Sequence, residues 1–502
     1  MKKIKVGLLL TIVAILSGLI ACNPNKKKEK ITDIPVTTSS KDALKLFRDG
    51  LVFYDQGDYL KSRDLFDKAT QKDPKIAVAY LLQLSADNTP REVIDALEKA
   101  KENVEGASYW EKMYYNLFVT YVTNNWDKRM EIVKKIDSAY PDAPRAKVDL
   151  GTVYQDGNNI DQSRSCFSKA LQMDSAWAGS YSAIVYSYLF YEPKNLKKAE
   201  SYAQKLVKLS PKSAGAEIVM GDCYRAEDDL LKARDAYAKA IQLDPTFPIS
   251  YYKKGHANTF LGKYEEARQD YAQGGKHDLT PAGGDIYIGN TYLCTGNYKK
   301  ALDYLTSQAK MLDKSKLSEE KKSLARYNYY SNCFLIAFHN GDKKTVQDMI
   351  VRLEPLSVWM GKEIGKKEEV LNQKAYILYL KSLQNAMSGK LDAAKARAEE
   401  IKTTVEPIEN PNKLSNYEMA MGYICMQGKK YDDAVAHFEK AQQTQIYNKY
   451  WLAMAYEKAK KEDQAIGLFK EISMYNFNDP GYALIKKEVN ELLKKESGGN
   501  KK

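Results

Sequence analysis

One spacing governs this chain: Ala199, Ala233, Ala267 and Ala301 succeed one another at intervals of 34 residues. Gly221, Gly255 and Gly289 keep the same step, as do Tyr237 with Tyr271 and Pro211 with Pro245. A fixed period of this length describes a row of small supersecondary units, each unable to bury its own apolar face and therefore stacked on the next. Within one unit Gly221 and Tyr224 stand three apart on one helix. Ala233, Tyr237 and Ala240 follow at four and three, which is one face of a second helix. Small residues at Gly221 and Ala233 predict a close approach of the two helices, with Tyr224 and Tyr237 filling the space beside it. Asp244-Pro245 ends the second helix and sets the turn to the next unit.

The pattern resembles the tetratricopeptide repeat, a helix-turn-helix unit of this length. Residues 214–247 carry its small, aromatic and Pro positions at Gly221, Tyr224, Ala233, Tyr237, Ala240 and Pro245, and residues 43–76 carry them at Gly50, Phe53, Ser62, Phe66, Ala69 and Pro74. Further units begin at 144 (Gly151, Tyr154, Ser163, Phe167, Ala170), 248 (Gly255, Ala267, Tyr271) and 282 (Gly289, Tyr292, Ala301). Near the C-terminus Gly422, Ala434, Phe438 and Ala441 recur, then Tyr456, Ala465 and Phe469. Gly57, Gly262 and Gly296 mark turns between helices. The resemblance implies an all-α superhelix: a repeat array over 41–315 with a degenerate stretch at 77–143, degenerate helical repeats over 316–410, and C-terminal repeats over 411–475. Gly341-Asp342 and Gly389-Lys390 read as turns inside the second degenerate stretch. An amphipathic helix at 480–495, with Leu484, Val489, Leu492 and Leu493, resembles the solvating cap that closes such arrays.

The chain opens with basic Met1-Lys2-Lys3-Ile4-Lys5 and runs apolar from Val6 to Ile20, apart from Gly, Thr and Ser. The run closes as Leu19-Ile20-Ala21-Cys22 before polar Asn23-Pro24-Asn25. A basic head, a short greasy core and small residues at the break describe an export signal over 1–21, not a spanning helix. The Cys at the break resembles the lipobox of bacterial lipoproteins. That resemblance implies cleavage before Cys22, acylation (palmitate) of its thiol, and a flexible tether over 22–40. It also implies an address in a bacterial membrane, expected to be the outer one with the body facing the periplasm. Removing Lys2, Lys3 and Lys5 lowers the formal charge from +12 to +9. The dense basic run Lys26 to Lys30 then lies beside the lipid, where it suits anionic headgroups and not nucleic acid.

Five further cysteines (Cys166, Cys223, Cys294, Cys333, Cys425) form no CxxC, and no His stands at ligand spacing. Their expected role is apolar packing. The sequence carries no GxSxG, GxxxxGK[ST] or HExxH, so it offers no catalytic residues, metal site or cofactor motif. Paired acids such as Glu265-Glu266 sit in Lys-rich helices and read as solvated faces.

Function is therefore expected on the concave surface made by the first helix of each unit. Residues off the Gly and Tyr packing face are Tyr181, Ile184, Tyr188 and Tyr191, then Ile218, Asp222 and Arg225, then Tyr252 and His256, then Asn290 and Leu293. An aromatic and polar groove of this kind suits an extended peptide or a partner helix. Packing of the same tyrosines between neighbouring helices is the competing reading. The chain reads as a lipid-anchored, non-enzymatic scaffold that binds other envelope proteins or peptides. A glycan-binding lipoprotein assisting an outer-membrane transporter is the alternative, and the oligomeric state stays open.

Overall fold

The computed structural model describes residues 32–499, apart from 86–88, 124, 279–281, 366, 443–444 and 476–478. Leu19, Ile20, Ala21 and Cys22, with the export signal, lie outside the described residues. The described residues are almost wholly helical and contain no strand. The N-terminal helix pairs are α1 (Lys41–Asp55) with α2 (Tyr59–Lys72), α3 (Ala77–Leu82) with α4 (Pro90–Asn103), and α5 (Tyr109–Val122) with α6 (Trp126–Ala139). The next are α7 (Pro144–Asp156) with α8 (Ile160–Met173), α9 (Ala178–Phe190) with α10 (Leu196–Leu209), and α11 (Ala214–Ala226) with α12 (Leu230–Leu243). Then come α13 (Pro248–Phe260) with α14 (Tyr264–His277), α15 (Ala282–Cys294) with α16 (Tyr298–Met311), and α17 (Glu319–His339) with α18 (Lys343–Ile364). The last pairs are α19 (Lys367–Met387) with α20 (Leu391–Val405), α21 (Ser415–Gln427) with α22 (Tyr431–Phe438), and α23 (Ile446–Lys458) with α24 (Glu462–Ser473). A single helix, α25 (Pro480–Gly499), follows them. Helix pairs thus run through both 77–143 and 316–410, and those of the second stretch include the longest helices of the array.

The periodic glycines explain how each pair closes. A Cβ on Gly221 would stand 2.5 Å from the Tyr237 ring, one on Gly255 2.5 Å from Tyr271, and one on Gly50 2.7 Å from Phe66. The first helix gives up a side chain so that an aromatic of the second can lie on its backbone. Tyr237, Tyr271, Phe66 and Phe167 are each at most 1 % exposed. The turns repeat too. Gly57, Gly262, Gly296, Gly341 and Gly389 take left-handed φ, and the same place is filled by Asn158, Asp228, Lys429 and Lys460. The following residue donates its N–H to the carbonyl five residues back, as Asp58 does to Phe53 and Asp229 to Tyr224. Asp58 and Asp229 then also cap the next helix with their carboxylates.

Two expectations change here. The described part of the tether, residues 32–40, is not loose. Ile34 is fully buried, Thr37 donates to Glu111 at 2.6 Å, Ser108 donates to the Pro35 carbonyl at 2.6 Å, and Arg48 donates to the Ile34 carbonyl at 2.7 Å. Enough polar partners await this extended segment on α1 and α5 to hold it as part of the body. The helix expected over 480–495 as a solvating cap is instead an internal element. Tyr482, Ala483, Leu484, Ile485 and Val489 of α25 are at most 1 % exposed, and the helix packs on α15, α17, α23 and α24. Its Tyr482 ring meets Phe260 of α13 at 5.8 Å. Five apolar side chains with no other cover drive it into the inner face. No described helix is long and apolar enough to cross a membrane.

Candidate functional site

The first turn of the array closes on itself. Gln56, in the turn after α1, lies so near the start of α11 that a Cβ on Gly215 would overlap its carbonyl oxygen. Beside it, Lys61 of α2 pairs with Asp244 at the end of α12, and also reaches Asp58 at 3.6 Å. The first and sixth helix pairs therefore meet. They enclose a cavity of ≈ 580 Å³ walled by the first helices of several units. Gly179, Ser182 and Tyr186 of α9, Ile218 and Val219 of α11, and Ile249 and Lys253 of α13 line it. Tyr54, Tyr114, Phe118, Tyr121, Arg145, Asp149 and Trp177 complete the lining. A volume of this size is typical of sites for small ligands or short peptide segments.

Ion pairs set the walls rigidly. Arg145 donates two parallel bonds to Asp55, each 2.8 Å, and a third to Asp33 at 2.7 Å. The Trp177 indole donates to Asp55 at 2.7 Å and lies under the Arg145 guanidinium, 4.9 Å from ring to cation. Asp149, one turn after Arg145, accepts from the Tyr114 hydroxyl. Burial pushes its carboxyl up to about 6, against the pull of the Tyr114 hydrogen bond and of Arg145. Across the cavity, Asp222 is fully buried and accepts from Lys253 at 2.9 and 3.0 Å, Tyr237 at 2.6 Å, Tyr186 at 3.2 Å and Arg225 at 3.3 Å. Burial raises this carboxyl, yet Lys253, Arg225 and the Tyr237 bond outweigh it and hold it below the usual carboxylate range.

The residues chosen from the sequence are together in the array but do not form its open surface. Tyr181, Tyr188, Asp222, Arg225, Tyr252, His256 and Asn290 are all at most 8 % exposed, and Tyr191 is half-buried. Tyr181 donates to the Ser175 carbonyl, and Tyr188 stacks on Tyr202 beneath Arg164. Arg164 also donates to the Tyr191 carbonyl. Tyr252 donates to Asp278 at 2.6 Å, and His256 meets the Tyr271 hydroxyl at 3.0 Å. Burial, then the nearby Arg225 and Lys253, hold His256 well below its ordinary pKa. Ile184 and Leu293 are core residues, and only Ile218 of the whole set borders the cavity. The physical reason is register. On α9 the tyrosines at 181 and 188 turn into the packing with α10, while Ser182 and Tyr186 face inward. Asp222 lies on an inward-leaning face but is covered by Tyr186 and Lys253. The wall residues Arg145, Asp149 and Trp177 escaped notice, although Arg145 and Asp149 lie one helical turn apart.

Comparison with known proteins matches the tetratricopeptide repeat signature to residues 144–176, 218–247, 236–269 and 447–473. An uncharacterised Methanocaldococcus jannaschii protein is 33% identical over 81 residues, 16% of this chain and 77% of that protein. Anaphase-promoting complex subunit 3 of Schizosaccharomyces pombe is 21% identical over 232 residues, and Hsp70-Hsp90 organizing protein 3 of Arabidopsis thaliana is 28% identical over 89. These cover 39% and 18% of this chain, which spans only 33% and 16% of those two relatives. Among solved structures, the APC/C Cut9-Hcn1 hetero-tetramer aligns over 86% of this chain and 76% of its own at 15% identity, with a TM-score of 0.39. A tetratricopeptide repeat protein from Parabacteroides merdae aligns over 58% of this chain and 99% of its own at 12% identity, with a TM-score of 0.33.

Proposed function

We propose, for a chain that belongs to the tetratricopeptide repeat proteins, that it is an interaction scaffold holding an extended peptide of another envelope protein in the cavity of its first turn. The carrying observation is the half-open, aromatic-walled cavity between α1, α5, α7, α9, α11 and α13, whose walls are held by ion pairs within the protein itself. A preformed wall lowers the ordering cost of binding. Acylation of Cys22 tethers this body to a bacterial membrane, the outer membrane facing the periplasm being the site that the lipobox resemblance favours. The Lys26 to Lys30 run adds headgroup attraction that is too weak to anchor alone.

The relatives' names point the same way, since an organizing protein and a complex subunit are parts of protein assemblies. Against the glycan alternative stands Trp177, whose indole N–H is held by Asp55 and one of whose faces is covered by Arg145. Two experiments test the reading. The purified full-length protein in detergent is probed on arrays of extended peptides and of oligosaccharides, beside Ser182→Trp, which fills the cavity. Peptide binding that Ser182→Trp abolishes is expected, with the melting temperature kept. Oligosaccharide binding alone, or peptide binding indifferent to Ser182→Trp, overturns it. For the anchor, Cys22→Ser is expected to lose fatty-acid labelling and to appear in the soluble fraction, and a labelled or membrane-retained variant refutes the lipidation.

A further inference from the structure

The charges on one wall of the cavity do not balance. Three carboxylates, Asp33, Asp55 and Asp149, gather around Arg145, and among the described residues the other cation that reaches them is Arg48, 3.6 Å from Asp33. Arg145 directs its hydrogen bonds to Asp33 and Asp55. Asp149 is left with a hydroxyl, that of Tyr114, and faces the cavity. Lys253, the cation across the cavity, is committed to Asp222. One negative charge therefore remains on the Asp149 wall.

Tyr54, Tyr114 and Tyr121 lie near that carboxylate, and the rings of Phe118 and Trp177 line the same cavity. Ring faces attract cations through their quadrupole, most strongly where water is excluded. The wall itself shows the preference, with Arg129 3.8 Å from the Tyr121 ring and Arg145 4.9 Å from that of Trp177. A carboxylate ringed by tyrosines complements an ammonium or guanidinium and repels an acidic side chain.

Resting on the peptide reading above, we propose that the cavity selects a peptide carrying a lysine or arginine side chain, which enters the aromatic wall and takes Asp149 as its counter-ion. The other titratable groups facing Asp149 are Tyr54, Tyr114 and Tyr121, Arg145, Asp33 and Asp55. In the empty cavity the Asp149 charge is costly, since burial pushes its carboxyl up to about 6. An incoming cation offsets that cost, so the residue is costly to the free protein and useful to the complex.

The test uses the full-length protein in detergent and a series of extended eight-residue Ser/Ala peptides. They differ at one central position, which is Arg, Lys, norleucine or Glu. Arg and Lys peptides are expected to bind about tenfold tighter than the norleucine peptide, and the Glu peptide weakest. Asp149→Asn should level Arg, Lys and norleucine without lowering the melting temperature at pH 7.5, while Asp149→Glu keeps part of the preference. Equal binding of Arg and norleucine peptides by the wild type, or a preference that survives Asp149→Asn, overturns the inference and leaves the peptide reading standing. Binding of none of these peptides, or binding insensitive to Ser182→Trp, removes the peptide reading and this inference with it. A lowered melting temperature in Asp149→Asn would make the residue structural and also overturn the assignment.

Discussion

The two turns of this array solve the same problem in opposite ways. Every closed superhelix leaves an inner face, and that face must meet water, a ligand or more protein. In the first turn the inner face is covered with ion pairs and tyrosines, and a cavity remains between Tyr114, Asp149 and Ile218. In the second turn the face is more apolar, and α25 packs against it with Tyr482, Leu484, Ile485 and Val489. The lesson is that inner-face chemistry decides occupancy. A polar wall can wait for a partner, whereas an apolar wall has to bring its own.

The comparison breaks most visibly if α25 is removed. Deleting residues 480–502 removes the five nearly fully buried side chains of α25 and exposes the surfaces they cover on α15 and α17. At roughly 1.5–3 kcal/mol each, the loss is on the order of 10 kcal/mol. Denaturant unfolding followed by tryptophans of each half should then show the C-terminal transition collapse while the N-terminal one holds. A single unshifted transition would refute the division.

A smaller break lies in the first turn. Asp222→Ala takes away the carboxylate that Lys253 and Arg225 share, which costs about 3–5 kcal/mol. The wild-type carboxyl sits below its usual range, so its contribution is present above pH ~4 and fades as pH falls through the depressed value. Thermal unfolding of the variant should lower the N-terminal transition and leave α25 in place. If the second turn falls with it, the two turns are one cooperative unit.

The gentlest probe is pH, and it acts on the two turns with opposite sign. Burial holds His339, which touches Glu488 of α25 at 3.6 Å, down to about 4. A His depressed in the fold and near 6.5 when unfolded loses stability as pH falls below 6.5, by about 2 kcal/mol at pH 5. Asp149, raised to about 6, does the reverse: folding takes up a proton, so its cost shrinks between pH 7 and 5, by about 1 kcal/mol. Melting curves of His339→Gln and Asp149→Asn across this range should each flatten one trend. Parallel trends in both variants would contradict the assignment.

The fold was legible because its cause is local. Gly221 and Tyr237 meet inside one unit, so their spacing alone predicts the contact. The glycine turns were visible for the same reason, but Asn158, Asp228, Lys429 and Lys460 adopt the same backbone without the glycine signal. The cavity was less legible. Which face of α9 packs and which faces inward differs by a single position, Tyr181 against Ser182. Whether Gln56 reaches Gly215 depends on the superhelix radius, a sum of small rotations that no single unit records. The amphipathic pattern of α25 was plain in Leu484 and Val489, but periodicity names a buried face and not its partner. The nearly all-round apolar composition of α15 was the available hint that something covers it.

The contact between Lys61 and Asp244 spans 183 residues, in a class of architecture whose contacts ordinarily join neighbouring units. A stack of repeats is normally elastic: it stretches like a spring and tolerates gain or loss of a unit, because each junction is independent. Closure removes that freedom from the first six helix pairs. It raises the sequence separation that folding must bridge, which slows assembly of this turn relative to an open array. It also fixes the number of units. Inserting or deleting one 34-residue repeat between 61 and 244 would preserve the contacts within each unit and still open the ring.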